Sequence, residues 1–190
     1  MSDHILTPLT ALGKTTSTTD IIGGITLCEN PNFAIASLAV RQGRGQDLQT
    51  LLTPVLDGEL PGPGRAVLSE SATAIWTGNG QWFLMAPLSE HPDYAAEIKD
   101  LVKDTASVTE QTDGWVIFDL TGDDLVPMLE RLCNLNSKAL AAGHATRCLI
   151  EHLGCLIICR ESGRNFTILG PRSSASSLHH TLVTAAHSVA

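Results

Sequence analysis

The sequence has few charged residues, few aromatic residues and no basic cluster. Charged residues make up 17% of its 190 positions and aromatic residues 4%, and 20 acidic against 12 basic side chains give a net charge of −8 with the histidines neutral. A protein that grips nucleic acid needs a basic patch for the phosphates. No apolar run approaches the roughly 20 residues that cross a bilayer. We therefore expect no nucleic-acid partner and no membrane insertion, and the low charge suits a surface that contacts another protein.

The cysteines follow no metal-binding or disulfide pattern. Their number is odd, no C-x-x-C pair occurs, and no secretory segment follows the polar start. These features predict free thiols and a cytoplasmic location. Cys155 and Cys159 would share a strand face but lie about 13 Å apart, too far to hold one ion. The five cysteines are Cys28, Cys133, Cys148, Cys155 and Cys159.

No motif of a nucleotide-binding or hydrolytic enzyme is complete. Gly43-Arg44-Gly45 stands between a predicted strand and a predicted helix, as a dinucleotide-binding loop would, but Leu48 follows where the third glycine belongs. The glycines therefore indicate a tight strand-to-helix turn. The sequence has no P-loop and no G-x-S-x-G elbow. We predict no catalytic residue and no cofactor-binding residue on the strength of these motifs.

Histidines are concentrated near the end of the chain without the spacing of metal ligands. His179, His180 and His187 fall on the last predicted helix, where His180 and His187 would share a face but lie about 10 Å apart, and no H-x-x-x-H or H-E-x-x-H spacing occurs. We predict no metal site and interpret these histidines as solvated or interface residues.

Asp119 is the most unusual polar residue of the predicted strands. It alternates onto the same face as Trp115 and Ile117, where a carboxylate needs a partner. Arg147 is the candidate partner. A structural ion pair is the favoured interpretation, and a ligand site is the alternative.

The order of predicted elements indicates an α+β fold made of two similar halves. Residues 1–30 are expected to form an extended arm with one short strand near residues 25–28. Residues 31–112 follow a β-α-β-β-α-β order, and residues 113–190 a β-α-β-β-β-α order. Each half is typical of a split βαβ, or ferredoxin-like, unit. Because neither half can bury a large core alone, we predict that both pack as a single domain spanning residues 31–190.

Several segments resemble the gamma subunits of heterotetrameric sarcosine oxidase. The hairpin AIWTGNGQWFLMAP (74–87), with Trp76, Gly78 and Trp82, is similar to the tryptophan–glycine hairpin of that family. The resemblance continues in order to the end of the chain and differs at two places: Asn79-Gly80-Gln81 replaces a proline and an acid, and Cys148 replaces a threonine. The continuing segments are SVTEQTDGWVIFDLTG (107–122), LERLCNLN (129–136) and FTILGPRSSASSLHHTL (166–182).

The resemblance implies a fold like the folate-binding domain of the glycine-cleavage aminomethyltransferase. It implies a non-catalytic gamma subunit whose partners are alpha, beta and delta subunits. Such an assembly oxidatively demethylates sarcosine to glycine, reduces oxygen to hydrogen peroxide, and releases formaldehyde or 5,10-methylenetetrahydrofolate. FAD, FMN, NAD, tetrahydrofolate and zinc then belong to the partner subunits and none to this chain. No catalytic residues of the family carry over.

Two other functions are compatible with the same resemblance. The chain could be a stand-alone folate-binding, one-carbon transferase-like protein, with Asp119 and Arg147 lining the pocket and the arginine pairing with a glutamyl carboxylate. It could instead be the equivalent subunit of a complex that oxidises N-methylglutamate.

Overall fold

The computed structural model describes residues 7–69 and 71–190. They form a mixed α+β structure with two antiparallel sheets and four helices, which confirms the predicted fold class at that level. The strands are β1 Thr19–Ile22, β2 Ile25–Glu29, β3 Phe33–Val40, β4 Ala66–Leu68, β5 Thr73–Gly78, β6 Gln81–Pro87, β7 Ala106–Glu110, β8 Trp115–Gly122, β9 Ala145–Ile150, β10 Leu153–Glu161 and β11 Asn165–Pro171. The helices are α1 Gly45–Leu56, α2 Tyr94–Val102, α3 Leu125–Leu132 and α4 Ala175–His187.

The first sheet has the strand order β4-β5-β6-β3-β7. Its interior strand β3 is apolar on both faces, as expected of a strand covered on both sides. Ala34, Ala36 and Leu38 pack against α1 and α2, whereas Ile35 points to the opposite face. The two helices contribute apolar residues at intervals of four, which places them on one helix face: Leu48, Leu52 and Leu56 in α1, and Tyr94, Ile98 and Val102 in α2.

The second sheet has the order β1-β2-β8-β11-β10-β9. Its strand β8 alternates in the same way: Val116, Phe118 and Leu120 pack against α3 and α4, whereas Ile117 faces the first sheet. This helix-facing core is the larger of the two, and it includes Leu178 and Leu182 of α4.

The two sheets pack face to face with the helices outside them. A purely strand-derived core lies between the sheets and includes Ile35, Phe83 and Met85 on one side and Ile117 and Leu156 on the other. The edge strands β4 and β9 are also joined through the backbone. The Ala66 N–H donates to the Gly143 carbonyl at 2.8 Å, and the Ala145 N–H donates to the Gly64 carbonyl at 3.0 Å.

The segment predicted as an extended arm with one short strand contains two paired strands. β1 and β2 form a hairpin, and β2 pairs with β8 from Ile25 opposite Gly122 to Glu29 opposite Phe118. Ile22, Ile25 and Leu27 enter the core of the second sheet. The pairing is favourable because β8 would otherwise present an uncovered sheet edge.

Among residues 7–69 and 71–190, no helix has both the length and the apolar character needed to cross a membrane.

Candidate functional site

A cavity of about 300 Å³ lies beside the first residues of β8. One wall is the N-terminal segment, residues 8–15, and the other walls are the end of β2, the start of β3 and the start of β8. Its apolar lining includes Leu9, Phe33, Leu88, Trp115, Val116 and Ile117. A few polar side chains join them, which is the usual make-up of a small-molecule pocket, and the volume lies at the lower end of the range for such pockets.

Trp115 provides the largest flat surface of the cavity. It is the first residue of β8 and follows a short 3₁₀ turn at Thr112–Gly114. Phe83 of the first sheet meets the indole edge-to-face, with ring centroids 5.3 Å apart and planes at 70°. Edge-to-face packing of this kind fixes the ring orientation. The indole is therefore held from the sheet side and open on the cavity side.

Glu29 and Arg172 connect the N-terminal segment to the body of the protein. The Glu29 side chain is only 2% exposed, and its Oε1 accepts the Leu12 N–H at 3.0 Å. The Arg172 Nη2 donates to the Leu9 carbonyl at 3.0 Å, and its Nη1 lies 3.8 Å from the Asp113 carboxylate. Two charged side chains of opposite sign therefore line the cavity and also fix one of its walls.

Asp119 lies at the centre of a hydrogen-bond network next to this cavity. Asn30 donates its Nδ2 to the carboxylate at 2.6 Å, and the buried Thr167 donates its hydroxyl to it at 2.6 Å. The Arg160 Nε donates in turn to the Thr167 hydroxyl at 2.8 Å. Asn30 also lines the cavity. The sequence interpretation that Asp119 needs a polar partner is correct, but neutral donors supply it.

The ion pair predicted between Asp119 and Arg147 is not formed. Arg147 is exposed on β9, and its Nε donates to the Thr77 carbonyl at 3.3 Å. Two strands separate β8 from β9, so the strands themselves are about 14 Å apart at about 4.8 Å per step. Neither residue lines the cavity. A ligand-binding role for either one stays a prediction.

The other residues considered in the sequence, His179 and Gly43, have surroundings that a structural role explains. The His179 Nε2 lies 2.7 Å from the Asp20 carboxylate, and the ring packs against Phe118, so this pair attaches α4 to β1. Gly43 has φ of +77°, as expected of a glycine in a tight strand-to-helix turn. In the part of the chain that the structure describes, no three His, Cys, Asp or Glu side chains are grouped to hold a metal ion.

Sequence reasoning missed Glu29, Asn30 and Arg172. The available signal was an acid ending the apolar strand ITLCE, since a carboxylate at such a position needs donors. Arg172 gave no local signal, because its partners Leu9 and Asp113 are far away along the chain.

Comparison with solved structures shows which known proteins have a similar fold. A chain of the heterotetrameric sarcosine oxidase from Corynebacterium sp. U-96, in complex with pyrrole 2-carboxylate, superposes with a TM-score of 0.75 and 17% identity over 87% of this chain and 85% of that one. The glycine cleavage system aminomethyltransferase T from Bartonella henselae superposes with a TM-score of 0.61 and 16% identity over 82% of this chain. This chain spans 44% of that aminomethyltransferase.

These two likenesses confirm, at the level of the fold, the resemblance first suggested by the tryptophan hairpin. A scan against protein-family models finds no match, and a search of curated proteins finds none.

Proposed function

We propose that this chain is a non-catalytic subunit, equivalent to gamma, of a heterotetrameric sarcosine oxidase-type complex. The observation that carries the proposal is the extent of the structural match: it covers 85% of the oxidase chain but 44% of the aminomethyltransferase chain. The fold therefore corresponds to one whole subunit of the oxidase and to a part of the transferase.

The surface supports a role in assembly. Ile21 on β1 is 76% exposed and Leu149 on β9 is 65% exposed. These strands are the two edges of the second sheet, and sheet edges with exposed apolar side chains are typical contact surfaces. In this proposal the partners are the alpha, beta and delta subunits, which would hold FAD, FMN, NAD and zinc and oxidise the amine in the cytoplasm. The products would be glycine, hydrogen peroxide, and formaldehyde or 5,10-methylenetetrahydrofolate.

We further interpret the fold as a duplicated split βαβ, or ferredoxin-like, arrangement. The four strands β5-β6-β3-β7 and the four strands β10-β11-β8-β2 follow one pattern, with β4 and β9 added at corresponding edges. In this interpretation β2 is the closing strand of the second unit.

Co-expression tests the assembly role. The chain is produced with and without the alpha, beta and delta subunits from the same genome, and complexes are separated by size-exclusion chromatography. We expect co-elution in equal proportions and peroxide formation that depends on sarcosine. Activity with N-methylglutamate instead would assign the chain to the related complex.

Single substitutions then locate the interface. Ile21→Asp and Leu149→Asp should weaken co-elution, whereas Thr19→Asp, on the same strand as Ile21 and already polar, is the matched control. A fully active complex that forms without this chain would refute the proposal.

The cavity favours a second function, the binding of a folate. The exposed face of Trp115 could stack on a pterin ring, and the Arg172 guanidinium could pair with a carboxylate. Because the cavity is about 300 Å³, only part of tetrahydrofolate would be enclosed. Tetrahydrofolate, when bound, would accept a one-carbon unit.

Calorimetry with tetrahydrofolate, together with tryptophan fluorescence, tests this second function. Binding should quench the wild type and should be lost in Arg172→Ala, and Trp115→Phe should remove the quenching that Trp76→Phe retains. Absence of heat and of quenching would exclude folate binding at this cavity.

A further inference from the structure

The turn between β5 and β6, at the tip of the tryptophan hairpin, consists of Asn79 and Gly80. Gly78 stands opposite Gln81 in the strand register, so no other residue belongs to this loop. Asn79 is exposed. In the part of the chain that the structure describes, the Gly80 N–H donates to no backbone carbonyl. The turn therefore presents an exposed side-chain amide directly before a backbone N–H that no strand pairing holds.

The fold requires glycine at the second position of this turn. Gly80 has φ of +66°, and a Cβ there would lie 2.9 Å from the Val40 Cγ1. The Gly80 carbonyl accepts the Val40 N–H at 2.9 Å, which fixes the turn against the end of β3. Glycine has no side chain to shield its own nitrogen from the Asn79 amide carbon. The residue that the turn needs is therefore also the one that leaves Asn79 most reactive.

The other asparagines lack this combination. Asn30 precedes Pro31, which has no N–H. Asn136 is exposed and precedes the small Ser137, but Ser137 is only 1% exposed and its N–H donates to the Leu135 carbonyl at 2.9 Å. Asn136 is therefore a matched contrast within the same chain. The remaining asparagines precede large apolar residues: Asn32, Asn134 and Asn165.

We propose that Asn79 is a site of spontaneous deamidation and that the isoaspartate formed there loosens the β5–β6 hairpin. The proposal rests on the geometry of the turn. It depends neither on the subunit role nor on the cavity.

The reaction consumes only water. The Gly80 nitrogen loses its proton and attacks the Asn79 Cγ, the bond from Cγ to the side-chain nitrogen breaks, and that nitrogen leaves as ammonia with the proton. The product is a cyclic succinimide, and water opens it at either of its two carbonyl carbons. Opening at Cγ gives aspartate, and opening at the backbone carbonyl gives isoaspartate. In total, one asparagine and one water give one acid and one ammonia.

Isoaspartate changes the hairpin more than aspartate does. In isoaspartate the chain runs through the side chain, so the Cβ of residue 79 becomes an additional backbone atom of the loop. Loop length sets the register of a hairpin, and a longer loop displaces the Gly80 carbonyl from the Val40 N–H. Aspartate adds the same negative charge without lengthening the backbone.

Peptide mapping by mass spectrometry tests the modification. The full-length protein is incubated at mildly alkaline pH, both folded and in guanidinium chloride. In the folded protein we expect Asn79 to deamidate several-fold faster than any other asparagine, at a rate that rises with pH. In guanidinium Asn136 should accelerate several-fold while Asn79 changes little. Methylation by an isoaspartyl methyltransferase with S-adenosylmethionine should locate isoaspartate in the Asn79 peptide.

Two substitutions separate the chemistry from its consequence. Asn79→Gln keeps an amide but needs a larger ring, so its deamidation should be several-fold slower than that of the wild type. Freshly purified Asn79→Asp should keep the Val40 amide protected from hydrogen exchange, whereas the aged wild type should lose this protection. An Asn79 amide that persists in the folded protein but is lost in guanidinium would overturn the proposal. Equal protection of Val40 in aged and fresh protein would do the same.

Discussion

The two sheets have five and six strands and differ in how the chain supplies those strands. Residues 33–110 provide every strand of the first sheet, including β7, which follows α2 and lies beside β3. In the second sheet one neighbour of β8 is β2, which together with β1 comes before every strand of the first sheet in the chain. The second half is therefore completed by strand pairing over a long sequence separation.

This difference shows that a strand position is defined by the edge it covers rather than by its place in the sequence. β8 is apolar on both faces, so it is stable only when strands flank it on both sides. Leu27 supplies a buried side chain on the flanking strand β2, as Ala106 does on β7. The same physical requirement is met by two different connections.

Deleting residues 1–30 should have the largest effect and should act on the second sheet first. The deletion removes three buried apolar side chains, Ile22, Ile25 and Leu27. At about 2 kcal/mol for each, the loss is about 6 kcal/mol, comparable with the whole stability of a domain. Hydrogen exchange followed by mass spectrometry should show β8 unprotected. Ile21→Ala, at an exposed position of the same hairpin, is the control, and equal protection of β8 and β3 after the deletion would contradict the comparison.

Gly122→Ala should break the pairing of β2 with β8 without removing any residue. Gly122 has φ of +144°, and a Cβ there would lie 2.1 Å from the Gly24 carbonyl oxygen. Backbone cannot move aside cheaply, so we expect a loss of about 3 kcal/mol in chemical denaturation. Gly154→Ala, which meets nothing within 4 Å, is the control in the same sheet. A Gly122→Ala variant as stable as Gly154→Ala would show that this contact is easily relieved.

Asp119→Ala should test the polar network of the second sheet. The substitution leaves the Asn30 amide and the Thr167 hydroxyl without their acceptor, and a loss of about 1–3 kcal/mol is expected for such partners. Arg147→Ala should change stability by less than about 0.5 kcal/mol, because the side chain is exposed. Thermal unfolding measures the stability of both variants. Equal losses would refute the conclusion that Asp119 belongs to a stabilising network and Arg147 does not.

Alkaline pH should reveal the smallest difference, through Tyr94 in the first half. Its hydroxyl is buried without a hydrogen-bond partner, and burial together with Glu97 raises its pKa from 10.0 to about 12. The folded state holds the Tyr94 hydroxyl proton more tightly than the unfolded state does. The stabilisation from this difference is therefore complete below pH 10 and is lost as the pH rises towards 12. The loss is about 1 kcal/mol at pH 11.

Tyr94→Phe should abolish this alkaline loss and leave stability at pH 7 unchanged or slightly higher. Urea denaturation at pH 7 and pH 11 measures it. Burial also raises the pKa of Cys155, in the second half, to about 11, so ionisation of this thiol likewise lowers the stability of the protein as the pH rises. The Cys155→Ala variant therefore separates the contribution of Cys155 from that of Tyr94. An unchanged alkaline slope in Tyr94→Phe would show that the hydroxyl does not titrate within the fold.

Local patterns predicted much of the fold. The apolar runs of β3 and β8 and the amphipathic face of α2 depend on neighbouring residues, so the sequence indicates them directly. The three-residue strand β4 carries too few positions for a pattern to emerge. The sequence predicts only one short strand in the region of β1 and β2, because Thr and Gly interrupt the apolar alternation there.

The candidate site was less predictable than the fold. Asp119 was singled out correctly, but its donor Asn30 lies 89 positions away and Thr167 lies 48 positions away. Only its charge suggests Arg147 as the partner of Asp119, and the strand order places Arg147 on β9, which two strands separate from β8. Spacing along a chain carries no information about which strands become neighbours.

The sequence by itself determined the α+β class, most helices and strands, and a surface of low charge, because composition and periodicity act over a few residues. The tertiary structure alone decided that β2 completes the second sheet and that Trp115, Glu29 and Arg172 surround one cavity. Those contacts arise from the covering of apolar faces and sheet edges. That requirement is satisfied by the whole chain at once rather than by any segment of it.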